Sequence, residues 1–350
     1  MSGLLHAVAP AYLAAWADAF AVASAALIWV QIAHVTGGLW LLPFRRILEA
    51  LASALPALTV LFVPIVLAHD VLFPWSHEVD PHHALARTPL ALAIGGGAEL
   101  VFLSLVAEGL RRLSLRQDAS LAARAEALAG RLQKIAAALL PPVTLAVTLV
   151  SFDVLMGVDA PFRSTVYALY VFAGGSVAAL AFAAVIRLVS GKAVNASSFF
   201  ALGKMLLAMV IFWAYTGFSQ LLLVWIADMP EEVPFYMARV APPWNVVSGF
   251  LVVAGFAIPL ALLLSWRFKR SPVRVAALGV LVLLVHRVDA IWLIEPPMRP
   301  YGVGTFLADV GATVVVGGAL VAFVLLRARR HASVPTRDPD LTPALTWEDA

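Results

Sequence analysis

Cysteine is absent from the 350 residues. That excludes disulfides, thiolate-held iron–sulfur clusters and covalently attached c-type haem on this chain. Charge is scarce as well. Only 13% of residues are Asp, Glu, Lys or Arg, against about 25% in an average soluble domain. No run alternates apolar and polar residues as the strands of a membrane barrel do, so a β-barrel is excluded. Residues 1–10 carry no basic stretch and no small-residue cleavage signal, so no removable signal peptide is expected. What remains is apolar: the hydrophobic share is 62% and the mean hydropathy +0.92. A water-facing globule cannot hide that much apolar surface, whereas a bilayer is the solvent that fits it.

A helix needs about 20 apolar residues to cross the hydrocarbon. Nine stretches qualify, at roughly 19–40, 52–73, 89–110, 133–156, 165–189, 199–227, 245–267, 273–294 and 304–327. Backbone in lipid must satisfy its own hydrogen bonds, so each is a helix. The predicted class is all-α, a polytopic integral membrane protein. It has an outer N-terminal segment at 1–18, a helical domain at 19–327 and a polar, proline-rich tail at 328–350, extended unless a partner holds it. The 111–134 stretch, with Leu121, Leu128, Leu132 and Ile135 on one helical face, reads as a short amphipathic helix on the membrane surface.

The pI near 9.4 is no nucleic-acid signal, because the basic residues sit between the apolar runs. Nineteen fall in alternate loops and the tail, from Arg45 and Arg46 to Arg337, against Arg87, Arg163, Arg239 and Arg299 on the other side. The positive-inside rule then places the N-terminus outside and the C-terminus in the cytoplasm. Prolines 56, 64, 141, 142 and 259 fall within spans, where neighbouring helices re-satisfy freed carbonyls. Gly174 with Ala178, and Gly175 with Ala179, put small residues at helical spacing and let a neighbouring backbone come close.

An ionisable group at mid-span costs about 2.5–3.5 kcal/mol on insertion scales, so each needs a partner, water or a function. At 1.5 Å per residue, Asp153, Asp289, Gln220 and His286 fall about 4 to 12 Å inside the outer boundary, with Arg287 beside His286 and Tyr215 somewhat deeper. His286 and Asp289, three apart, share a helical face. A second set, His34, Glu108, Lys204 and the deeper Glu99, falls in the inner half. Two readings stand: polar half-paths for protons with a quinone pocket near the outer face, or Arg287 neutralising Asp289 or Asp153, with Glu108 and Lys204 reaching to the interface. The imidazoles lie at different depths, which disfavours an axial pair on haem, and no residue cluster has metal-ligand spacing, His77, His82 and His83 included.

The segment Ser151–Ala179, SFDVLMGVDAPFRSTVYALYVFAGGSVAA, resembles the FDWLMSLDxxWFSTxYGxYFFAGxxxAA stretch of the F subunits of alternative complex III, in the NrfD/polysulfide-reductase-like membrane family. Leu202–Glu232, with FWAYTGFSQ and PEE in order, and His286–Pro296, HRVDAIWLIEP, are similar to further blocks of it. So are SLRQD at 114–118, DPDL at 338–341 and the His34–Trp40 helix end followed by Arg45-Arg46. The likeness is strongest over 110–300. Val154 stands where the family has tryptophan, Gly157 where it has serine, and Phe162-Arg163 where it has an aromatic pair. The resemblance implies two four-helix bundles plus an extra helix. It implies a place in a quinol-oxidising complex beside a second, C-type NrfD-like subunit, an iron–sulfur subunit and multihaem cytochrome c subunits. On the same resemblance this chain would carry no redox centre, quinone or quinol would be its ligand, and Asp153, with Gln220 and Asp289, would serve a quinone site or proton path. Outside the resemblance, a secondary transporter would need paired broken helices and inverted repeats, which the sequence does not display. A scaffold whose buried charges only fix helix register is the third reading.

Overall fold

The computed structural model describes residues 2–76, 88–159, 161–191, 196–329, 331–332 and 334–346. Among them there is no strand, and nine helices are long and apolar enough to cross a membrane: α1 (Leu5–Thr36, in a helix beginning at Ser2), α2 (Leu42–Leu67), α3 (Pro89–Asp118), α4 (Ala122–Val158), α5 (Tyr167–Val189), α6 (Ala196–Ala227), α7 (Trp244–Leu264), α8 (Pro272–Ile294) and α9 (Val303–Arg329). The chain is an all-α, multi-pass membrane protein.

Contacts group α1–α4 into one four-helix bundle and α5–α8 into a second, with α9 laid against α1 and α2. The two bundles join along α1 and α5. There the helices nearly touch, and a Cβ on Gly175 would collide with the Ala21 carbonyl. Gly279 on α8 meets the Ala181 carbonyl of α5 in a similar way, so small residues set both close approaches.

α1 is the axis of the molecule. Of its most apolar window 94% is buried, against 22% for α6 or α9. Its start at Ser2 replaces the expected 19–40 span and absorbs the expected outer segment 1–18. Asp18 looks like a boundary in the sequence, yet the alanine-rich run on both sides continues the helix through it. Gly37 ends α1: its φ of +60° lies in the left-handed region, and its N–H bonds the Ala33 carbonyl.

α2 is broken into Leu42–Ala52, Leu55–Val60 and Val63–Leu67, with a proline in the first turn of each piece. A proline there gives up a hydrogen bond that a helix start lacks anyway, so each proline opens a piece. π-turns interrupt α4 at Ser151–Leu155, α7 at Leu251–Ala257 and α9 at Thr313–Gly317.

Two further expectations change. There is no separate surface helix at 111–134: α3 runs on to Asp118 and α4 starts at Ala122, so the apolar spacing belongs to the ends of two long helices. The tail is held by its own chain. Asp338 pairs with buried Arg45 at 2.6 Å, the Arg337 N–H reaches Asp118, and Leu341–Thr346 forms a helical turn with Ala344 buried.

Candidate functional site

The second bundle holds a buried polar cluster around Asp289. Asp289 on α8 is 4% exposed and forms no ion pair with a lysine or arginine among the described residues. The Tyr170 hydroxyl of α5 donates to its Oδ1 at 2.5 Å, and the Trp213 indole N–H of α6 donates to its Oδ2 at 3.2 Å. One turn away, His286 Nε2 stands 3.5 Å from Asp18 Oδ1 of α1. Gly174 of α5 leaves the room that the His286 ring and Trp213 fill. Between His286 and Asp289 lies a cavity of about 20 Å³, walled by Val177, Val210, Gly255 and Val282, with space for about one water. Asp18, His286 and Asp289 thus form a short row of ionisable groups across the seam of the two bundles.

Tyr170 and Trp213 also form the inner wall of a much larger cavity, 570 Å³, between α6 and α7. Its walls are flat and apolar, built from Ile211, Phe218, Leu221, Val252 and Phe256. Its polar groups gather at the end where α6 finishes. There Gln220 accepts from the Ser164 hydroxyl at 2.9 Å and donates to the Tyr236 hydroxyl at 3.2 Å. Tyr236 sits on the short helix Val233–Val240. Burial pushes its hydroxyl up to about 12, so it stays a donor.

Arg239, on the same short helix, is 1% exposed. It donates to the carbonyls of Phe235 (2.5 Å), Trp292 (3.0 Å) and Leu293 (2.8 Å) and lies over the Phe235 ring. Burial lowers its pKa to about 10, so it remains a cation at neutral pH. The same burial, opposed by Arg239, lifts Asp159 above the usual carboxylate range. The Arg239 guanidinium thereby fixes this helix to the end of α8 and closes one end of the cavity.

The other expected residues fall in several places. Gln220 lines the cavity, and Tyr215 stands on its rim, 65% exposed. Arg287 points away from Asp289 and Asp153: its Nε donates to Thr313 Oγ1 of α9 at 2.7 Å, and both terminal nitrogens lack a hydrogen-bond partner. The expected pairing that would neutralise Asp289 is therefore not made. Asp153 does not join the Asp289 group. It sits in the π-turn of α4, in the other bundle, with its side chain exposed and Glu99 of α3 as its charged neighbour. Position along a helix gives depth and leaves the face unspecified, which is why depth alone grouped the two.

The expected inner set is dispersed. His34 is buried at the end of α1 with Nε2 unbonded. Glu108 binds Arg112 at 2.9 Å and Arg327 of α9 at 2.5 Å. Lys204 lies over the Phe200 ring in the second bundle. Glu99 lies beside Asp153. His77, His82 and His83 lie outside the described residues.

Asp18, Tyr170, Trp213, Tyr236 and Arg239 were not singled out from the sequence. The visible signal for Asp18 was a lone carboxylate inside AYLAAWADAFAVA. Neither a protein-family model nor a curated protein matches the chain significantly.

Proposed function

We propose that this protein is a membrane subunit of a quinol-oxidising electron-transfer complex, with quinol bound in the α6–α7 cavity. Its volume falls within the roughly 300–1,000 Å³ of ligand sites, and its make-up, apolar with a few convergent polar groups, is theirs too. A flat ring and an isoprenoid tail suit aromatic and aliphatic walls, and Gln220 with Tyr236 supplies hydrogen bonds for the oxygens of the ring. The reading rests on one observation: buried Asp289, in no ion pair with a lysine or arginine among the described residues, lies directly behind two side chains that line the cavity. Oxidation of a quinol releases two electrons and two protons. The protons pass by way of Tyr170 to Asp289, and on through His286 to Asp18. The electrons leave to an iron–sulfur or haem centre on a partner subunit. The blocks resembling alternative complex III support the same reading and imply C-type membrane, iron–sulfur and multihaem cytochrome c partners.

The test is purification from native membranes with partners attached. Iron and haem should co-purify, and Asp289→Asn should lower quinol turnover at least tenfold, about 1.4 kcal/mol of barrier, while the complex still assembles. A purified complex without any redox centre sinks the proposal, as does full turnover in Asp289→Asn. A second reading, a secondary transporter, draws on the broken α2. Its counterpart in the second bundle, α6, is one continuous helix, so the paired breaks of that class are missing. Substrate uptake by the protein alone in liposomes separates the two.

A further inference from the structure

At the opposite, arginine-rich end of the molecule, a second cavity of 330 Å³ opens between α2, α3, α5 and α9. Its walls carry five guanidiniums, from Arg46, Arg111, Arg187, Arg327 and Arg329, and a single carboxylate, Glu49.

Some of this charge is matched. Arg46 binds Glu49 and Asp118, each at 2.5 Å, and Arg327 binds Glu108 at 2.5 Å. Arg111 and Arg329 form no ion pair among the described residues, and the one hydrogen bond of the Arg111 guanidinium is a long one, 3.5 Å, to the Arg327 carbonyl. Glu49, Asp118 and Glu108 offset part of the charge, an anion between Arg111 and Arg329 would offset more, and the planar guanidinium fork suits the oxygens of phosphate.

The depth narrows the class of anion. Arg111 lies about 33 Å along α3 from Pro89, one hydrocarbon thickness from the far end, so the cavity sits at headgroup level. The residues flanking it, Val189 and Leu326, are 77% and 59% exposed, which gives acyl chains an apolar surface beside the arginines. Basic pockets between spanning helices at this level take phosphorylated headgroups.

We propose that this cavity binds a phosphate group, and that an anionic phospholipid of the surrounding membrane supplies it. The bound headgroup ties α2 and α3 of the first bundle to α5 of the second and to α9.

Purified full-length protein, stripped of lipid in neutral detergent, tests this by thermal melting against added lipid. Phosphatidylglycerol raises the melting temperature and phosphatidylcholine does not. Arg111→Gln with Arg329→Gln weakens the apparent affinity about thirtyfold, on the basis of about 1 kcal/mol per arginine. The single change Arg329→Gln, at an exposed side chain, weakens it about fivefold and guards against a misfolded double variant. Protection by millimolar sodium phosphate alone, lost in the same variants, keeps the site and makes soluble phosphate its source. Equal protection by both lipids with none by phosphate overturns the proposal, and so does protection that neither variant reduces.

Discussion

Replacing Gly175 by alanine tests the seam between the bundles and the candidate site together. The added Cβ would overlap the Ala21 carbonyl of α1. Backbone on both sides leaves no side chain to swing away, so α1 and α5 must separate. Overpacking of this kind costs about 1–3 kcal/mol. The upper half of that range applies here, because the seam is long and every contact along it loosens at once. Alanine also favours a helix over glycine by about 1 kcal/mol, which offsets part of the loss. The control is Gly249→Ala on α7, where nothing lies within 4 Å of the new Cβ and only the helical gain applies. The two variants should differ by about 2–3 kcal/mol, a factor of roughly 30 to 150 in the folded-to-unfolded ratio. Titration with a denaturing detergent in mixed micelles, followed by the fluorescence of the ten tryptophans, measures this difference. Asp18 lies one turn from Ala21, so the same displacement opens the 3.5 Å approach to His286 and should lower quinol turnover in parallel. Equal stability of the two glycine variants would refute the close packing on which the site geometry depends.

Three further outcomes are expected. Burial and the neighbouring Asp309 raise Glu295, which follows the end of α8, to about 8. The folded protein therefore holds a proton that the unfolded chain has lost between the ordinary carboxylate range and that value. Stability should fall as pH rises through this interval, and Glu295→Gln should flatten the slope of melting temperature against pH. Arg239→Ala leaves three carbonyls without their shared donor, at about 1–3 kcal/mol for each one buried. Melting should drop steeply, and unchanged melting would mean that water replaces the guanidinium. Asp338→Asn removes the charge facing buried Arg45, at about 1.5–3 kcal/mol, so protease should cut the tail beyond residue 331 faster than in the parent chain.

Crossings were legible in the sequence because lipid makes one demand of every segment: enough consecutive apolar residues to span it. The span boundaries that moved furthest did so at Asp18, at the 111–134 stretch and at the start of α2, at Leu42 where 52 was expected, because polar residues sit inside helices there and only packing tells them from loop residues. The site was legible in part. His286, Asp289 and Gln220 stood out because ionisable and amide groups are costly within apolar runs. Their partners Tyr170, Trp213 and Tyr236 did not, because aromatic residues are ordinary in a membrane helix and acquire a role only when a fold aims their single polar atom at a carboxylate. Arg239 had been counted only as a loop cation. Its part in fixing a helix comes from the carbonyls of Trp292 and Leu293, more than fifty residues further along the chain, which no local pattern reveals.

The enclosed position of α1 bears on how the molecule is made. The ribosome delivers α1 ahead of α5, α8 and α9, which wrap it and follow only 130 to 290 residues later. At about 5–20 residues per second, that is roughly ten seconds to a minute of synthesis. Throughout that interval Asp18 faces lipid or the insertion machinery instead of its final neighbour His286. Biogenesis therefore requires a protected waiting stage for a segment made well before the helices that come to surround it.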